Sequence, residues 1–148
     1  MRKLFTVQQA NRTLPLVRRI VADIVAQYHE LEQLLRQRER LQPLRRAAEI
    51  SAVDTRAARG TQRLNALIEE VNSIGCELKD WQSGRVDFRS LHDGRDVCLC
   101  WKPGEESIRY WHELDAGSSA RQPLGPPAAR GGVSDRRRTR TAAQDTPA

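Results

Sequence analysis

The chain has 148 residues, of which 39% are hydrophobic and 30% charged, and its formal net charge is +6. This composition is typical of one soluble, helix-rich domain with a moderate core. No apolar run is long enough to span a bilayer, and no apolar stretch follows the basic start "MRK", so neither a membrane span nor a secretion signal is predicted. Three cysteines, two of them in the pair "CLC", do not suggest a secreted disulfide scaffold, which favours a cytoplasmic protein.

The positive charge is unevenly distributed. The segment from Arg121 onward contains six arginines and two aspartates, a net charge of +4. Residues 1–120 therefore contribute the remaining +2. The basic character therefore belongs mostly to the C-terminal segment.

Two helix starts are predicted near the N-terminus. Thr6 and Gln9 match the capping-box pattern. Thr13 followed by Pro15 offers a second start, because proline is tolerated in the first helical turn. These signals predict a short helix, a bend and then a long helix.

Two heptad stripes follow, separated by a break at Pro43. The first contains Val17, Val21, Ile24, Tyr28, Leu31 and Leu35, and the second contains Ile50, Val53, Ala57, Gly60, Leu64, Leu67, Val71 and Ile74. Two matched stripes predict an antiparallel helical hairpin over about 14–75, which Gly75 ends. Such narrow, coiled-coil-like stripes would also allow a second hairpin to dock, so a homodimer is a possible assembly.

The pattern changes after Gly75. "DVCLCW" and "SIRYWHEL" predict a β-hairpin over about 95–115, and "RVDF" offers a third strand. The sequence thus predicts an α+β domain over 1–124, in which a long helical hairpin precedes a small antiparallel sheet. Residues 125–148, rich in Arg, Pro and Gly, are predicted to form a disordered basic tail.

Three segments together resemble a small bacterial family, the domain of unknown function 2203. They are "LFTVQQANRTLPLVRRI", "GCELKDWQSGRVDF" and "CLCWKPGEESIRYWHELDAGSSARQPL". The resemblance covers about residues 4–124 and implies a helical first half with an aromatic-acidic ending. It implies no activity, because the family carries none that could be transferred. Where the family usually has a bulky residue before "GRQP", this chain reads "AGSSARQP".

The ending "RYWHELD" is the candidate binding surface. Its residues, with one later arginine, are Tyr110, Trp111, His112, Glu113, Asp115 and Arg121. The zinc-protease pattern H-E-x-x-H is not met, since Ala116 follows where the second histidine would stand. On a strand, His112 and Glu113 point to opposite faces, whereas Glu113 and Asp115 share one and could hold a cation or do acid–base work.

Cys98, Cys100 and His112 are the candidate metal ligands. Whether His112 lies on the cysteine face depends on the hairpin loop: a five-residue loop places it there, and a four-residue loop places it with Val97 and Leu99. The sequence favours the reading without a metal, in which His112 is a structural hydrogen-bonding residue. No cofactor is predicted.

The leading functional hypothesis is a non-enzymatic binding or assembly module. The helical hairpin would associate with a second copy or a protein partner, and the β-hairpin would present the recognition surface. One alternative is a metal-dependent hydrolytic enzyme centred on His112, Glu113 and Asp115. Another is a nucleic-acid binder acting through the tail, where "DRRRTRT" suits phosphate contacts.

Overall fold

A single 35-residue helix, α1 (Val7–Leu41), begins the fold in the computed structural model, which describes residues 3–125. The predicted capping box is confirmed: the Thr6 hydroxyl accepts from the backbone of Gln9, and the Gln9 side chain accepts from the backbone of Thr6. The predicted bend is wrong, because Pro15 lies inside the helix. Proline removes one backbone hydrogen bond there, while the buried neighbours Leu14 and Val17 anchor both sides of it in the core.

The break at Pro43 is confirmed. Residues Gln42–Leu44 form a short 3₁₀ turn, and Arg45 adopts a left-handed conformation with φ 51°. Helix α2 (Ala47–Ile74) then runs back along α1, and Gly75 ends it with φ 106°, a conformation that glycine adopts without strain.

The α2 stripe packs as predicted, but the end of the α1 stripe does not. Leu35 is 57% exposed, and Leu34 is buried in its place. The buried positions in the distal half of α1 are Gln27, Leu34 and Leu41, which are seven residues apart and form a second line on the helix. Near the hairpin turn the contact with α2 follows this line, where Leu34 packs with Leu41 and Val53.

Gly60 marks the close approach of the two helices. A Cβ atom at this position would lie 2.8 Å from Nε2 of Gln27 and 2.9 Å from Cδ2 of Leu31. Any larger side chain would force both neighbours to move, so the glycine fixes how closely the hairpin packs.

A five-stranded antiparallel sheet follows in simple sequential order. Its strands are β1 (Glu77–Asp80), β2 (Arg85–His92), β3 (Arg95–Trp101), β4 (Tyr110–Glu113) and β5 (Gln122–Pro123). Asp93 and Gly94, with φ 52° and 80°, form the tight turn that the sequence predicts between β2 and β3. The predicted α+β class is therefore confirmed, with two more strands than the sequence analysis assigned.

The two faces of the sheet differ in chemistry. One face joins the helices in the main core through Val86, Phe88, Val97, Leu99 and Trp101, all fully buried. The opposite face carries charged, thiol and imidazole side chains. Strand β3 is buried on both faces, as its near-continuous apolar sequence predicts.

The predicted tail lies outside the described residues, apart from Gly125. Among residues 3–125, neither long helix has a stretch apolar enough to cross a membrane.

Candidate metal centre on the polar face of the sheet

Strand register brings distant residues together on the polar face. In the β2–β3 pairing Asp87 lies opposite Cys100, and in the β3–β4 pairing Cys98 lies opposite His112. Because side chains alternate along a strand, Asp87, Cys98, Cys100 and His112 all project from the same face. His112 is thus on the cysteine face, as the five-residue loop predicts, although the connection between β3 and β4 is longer than either loop considered.

Asp87 and His112 form a buried polar pair. Nε2 of His112 lies 3.1 Å from Oδ2 of Asp87, and each residue is 2% exposed. Nδ1 of His112 lies 2.8 Å from the backbone carbonyl oxygen of Glu113. A carbonyl only accepts, so Nδ1 must carry a proton and donate. The contact between Nε2 and the carboxylate therefore holds one shared proton, on the imidazole or on the carboxyl group.

Cys100 completes a compact group of three potential ligands. One ligand atom each from Asp87, Cys100 and His112 lies within 4.8 Å of the others, and all three residues are buried. The second carboxylate oxygen of Asp87, Oδ1, is buried and has no hydrogen-bond partner among the described residues. Its nearest cation is Arg85, whose Nη1 is 3.8 Å away. A buried carboxylate oxygen left in this state is available to a further ligand.

The thiols of β3 are held in their protonated form. Burial, reinforced by the charge of Asp87, raises the pKa of Cys100, and Arg121 and Arg85 oppose that rise. Burial likewise raises the pKa of Cys98 to about 11, again with a contribution from Asp87. Without a metal these cysteines are therefore poor nucleophiles, since the thiolate is the reactive form.

A polar cavity adjoins the cluster. It has a volume of about 460 Å³, and Asp87 and Arg89 belong to its wall, together with Lys3, Cys76 and Glu77. The remaining wall is the end of α2. Asp87 therefore belongs to both the cluster and the cavity wall.

Two of the predicted surface residues meet beside the cluster. The guanidinium carbon of Arg121 lies 3.9 Å from the ring centre of Tyr110, and Arg121 also donates to Glu105. Tyr110 pairs with Cys100 across the β3–β4 ladder. Arg121 therefore lies close enough to influence the Cys100 thiol, although it does not bond to His112.

The other predicted surface residues lie elsewhere. Trp111 is buried in the core on the helix side of the sheet. Glu113 accepts from Arg95 at 3.1 Å, and Asp115 is exposed in the turn after β4. His112, Glu113 and Asp115 thus do not converge, because Glu113 follows His112 on a strand and faces the other way.

Asp87 is the residue that the sequence analysis missed. The only local signal is its place between Val86 and Phe88, where polar and apolar residues alternate from Arg85 to Arg89. That alternation predicts a polar sheet face, but it does not identify the partner strand or the register.

Comparison with known proteins places the chain with one family. The family described as "Uncharacterized conserved protein (DUF2203)" matches residues 3–124. No curated protein and no solved structure matches the chain.

Proposed function

The chain belongs to the domain of unknown function 2203 family, and we propose that it binds a divalent transition metal of the zinc class through Asp87, Cys100 and His112. The observation that supports this proposal is the burial of a carboxylate, a thiol and an imidazole within 4.8 Å of one another. Imidazole nitrogen, thiolate sulfur and carboxylate oxygen are the three donors that zinc prefers in proteins. The sequence analysis favoured a histidine without metal because the face of Cys98 and Cys100 depended on an unknown hairpin register, and it did not include Asp87.

The orientation of His112 suits a ligand. Its Nδ1 donates to the carbonyl of Glu113, which in the neutral imidazole leaves the lone pair of Nε2 directed at Asp87 and the cluster. Ligating histidines characteristically donate their second ring nitrogen in this way, which fixes the tautomer and the ring position. A metal would replace the proton that Nε2 and Asp87 now share.

The distances allow a tetrahedral ion after a small contraction. With metal–ligand bonds of about 2.0–2.3 Å, tetrahedral ligands lie roughly 3.3–3.8 Å apart. The widest pair would close by about 1 Å, which rotation of the Cys100 and Asp87 side chains can supply. Three protein ligands leave a fourth position, and the cavity that reaches Asp87 provides a route to it.

Metal titration of the full chain tests the proposal. Protein stripped with a chelator would be titrated with Co²⁺, whose thiolate charge-transfer absorption reports a bond to sulfur, and then with Zn²⁺ in competition. Cys100→Ser should abolish the absorption, and Asp87→Asn and His112→Ala should weaken binding at least tenfold. Cys98→Ser is the matched control, because Cys98 is also buried and on the same strand face but lies outside the cluster.

The outcomes are distinguishable. One Co²⁺ per chain, lost in Cys100→Ser and retained in Cys98→Ser, supports the site. Absence of the absorption at millimolar Co²⁺, or equal loss in both cysteine variants, rules it out. Circular dichroism of each variant separates loss of the ligand from loss of the fold.

A hydrolytic enzyme would use the metal held by the cluster rather than the residue set of the sequence analysis. A three-ligand zinc site with an open position can activate water, but of His112, Glu113 and Asp115 only His112 belongs to the cluster. We therefore propose metal binding as the function and keep hydrolysis as the alternative.

Free, buried thiols at Cys76, Cys98 and Cys100 fit a reducing compartment, which favours the cytoplasm.

Self-association through the distal part of the helical hairpin is a second candidate. Leu34, Leu41 and Val53 form a small core separate from the main one, and Leu35 and Leu44 beside it are more than half exposed. A second hairpin could cover these leucines. Sedimentation equilibrium of the wild type against Leu35→Gln/Leu44→Gln tests this: a dimer that the variant loses supports the candidate, and a wild-type monomer at high micromolar concentration excludes it.

A further inference from the structure

The helical end and the sheet end of the fold carry opposite net charges. Residues 36–63, at the distal end of the helical hairpin, contain eight arginines and three acidic residues, a net charge of +5. Residues 64–120, which end α2 and build the sheet, contain six basic and eleven acidic residues, a net charge of −5. Residues 1–120 therefore have a small net charge but a strong separation of positive and negative charge.

The arginines of α2 line one flank of the hairpin. Arg56, Arg59 and Arg63 are spaced three and four residues apart, which places them on one side of a helix. Arg56 reaches across to Glu30 of α1 at 3.6 Å. This contact identifies the flank as the one on which Glu30 lies.

Helix α1 adds two exposed arginines next to this flank. Arg40 follows Glu30 by ten residues, which at 3.6 residues per turn is about 80° short of three turns, so it lies at the outer edge of the flank. Arg36, one turn before Arg40, lies about 40° further round, on the outer face of α1. Arg36, Arg40, Arg59 and Arg63 are exposed and have no ion-pair partner among residues 3–125. Together with Arg56 they form the exposed surface that we call the arginine flank, which runs from the side of α2 onto the outer face of α1 and extends about 20 Å along the hairpin at a rise of 1.5 Å per residue.

The opposite flank has a different character. It carries Arg38, which is neutralised by Asp54 at 2.7 Å, and the exposed Leu35 one turn earlier. Helix α2, which contributes three of the five arginines of this flank, has no exposed large apolar side chain. A membrane-binding surface would combine basic and apolar residues, so the arginine flank is better matched to a partner that offers charge alone.

We propose that the arginine flank binds the phosphodiester backbone of nucleic acid without sequence preference. Guanidinium groups match phosphate oxygens in geometry and charge, and four of them are uncommitted. Duplex DNA carries one charge per about 1.7 Å of its axis, so a flank of about 20 Å faces enough phosphates to use all four. The acidic sheet end repels the same ligand, which directs the hairpin rather than the sheet toward it. This surface is separate from the metal cluster.

Fluorescence anisotropy of the full chain with a labelled random-sequence 24-bp duplex, and with a single-stranded RNA of equal length, tests the proposal across a salt series. The flank variant is Arg36→Gln/Arg40→Gln/Arg59→Gln/Arg63→Gln. The matched variant removes four charges from the C-terminal segment, as Arg136→Gln/Arg137→Gln/Arg138→Gln/Arg140→Gln. Circular dichroism verifies that both variants keep their helix content.

The flank variant should weaken duplex binding at least tenfold and lower the slope of log affinity against log salt by about 3 to 4. The C-terminal variant should retain most of the duplex affinity and most of the salt dependence. Loss of binding in the C-terminal variant alone would overturn the proposal in favour of that segment. Absence of binding to either nucleic acid at low salt, or binding to vesicles rich in anionic lipid instead, would also overturn it.

Discussion

His112 and Asp87 come from strands that are not neighbours, yet their side chains meet at 3.1 Å across β3 in a buried position. The small side chain of Cys100 makes this possible, because a bulkier residue on the central strand would separate the two. The contact between Asp87 and His112 therefore requires a side chain as small as that of Cys100 between them.

The Asp87–His112 pair should stabilise the fold even without metal. In the presence of a chelator, Asp87→Asn and His112→Gln should each lower the free energy of unfolding by about 1–3 kcal/mol, because each leaves a buried partner poorly satisfied. The double variant should cost less than the sum of the two, as expected for residues in contact. Urea unfolding measures all three. Strictly additive losses would show that the two residues do not interact.

Metal binding should release protons. The Cys100 thiol, whose pKa is raised by burial, must lose its proton to bind. Zn²⁺ binding near pH 7 should therefore release at least one proton, and apparent affinity should rise with pH. Calorimetry in buffers of different ionisation enthalpy counts them. Cys98→Ser should release the same number, whereas release of none by the wild type would contradict the assigned ligands.

The helical hairpin should show a sharp contrast in stability between two positions of its predicted stripes, one on each helix. Leu67→Ala removes a buried side chain and should cost about 2–5 kcal/mol. Leu35→Ala, at a position that is 57% exposed, should change stability by less than about 0.5 kcal/mol. Urea midpoints at equal m-values report both. Similar losses at the two positions would mean that a second chain covers Leu35.

Close packing at Gly60 should be sensitive to size. Gly60→Leu would drive side-chain atoms into Gln27 and Leu31 and should destabilise the chain by about 1–3 kcal/mol, despite leucine's better helix propensity. Ala58→Leu, two residues away at an exposed position, is the control and should be near neutral. Thermal unfolding of the pair measures the difference. A Gly60→Leu variant as stable as Ala58→Leu would show that the helices separate freely.

Alkaline pH should weaken the fold through Cys76. Burial raises the pKa of this thiol from 9.0 to about 12. Between these values the unfolded chain loses a proton that the folded chain keeps, so rising pH favours unfolding. The stabilising contribution is complete below pH 9 and is lost as the pH approaches 12. Cys76→Ala should show a flatter decline in unfolding free energy above about pH 9, and parallel declines in variant and wild type would contradict the assignment.

Local signals in the sequence determined most of the architecture. Thr6 with Gln9, Pro43, Gly75 and Asp93-Gly94 act through backbone conformation and nearby hydrogen bonds, so they can be interpreted without knowledge of distant residues. The two heptad stripes likewise identify the buried faces of the helices over most of their length. Where one local rule competed with another, as at Pro15, the sequence was misleading, because packing of Leu14 and Val17 overrides a weak helix-start signal.

Only the tertiary structure decided the candidate site. Which strands are neighbours and in what register they pair depends on how the whole sheet packs on the helices, and a shift of one residue would reverse every face assignment. The sequence identified His112 and Cys100 but could not supply Asp87, which lies 25 residues from His112 in the chain. In the same way Arg36 and Arg40 of α1 adjoin Arg56, Arg59 and Arg63 of α2 only because α2 folds back along α1 at Pro43 and packs tightly at Gly60.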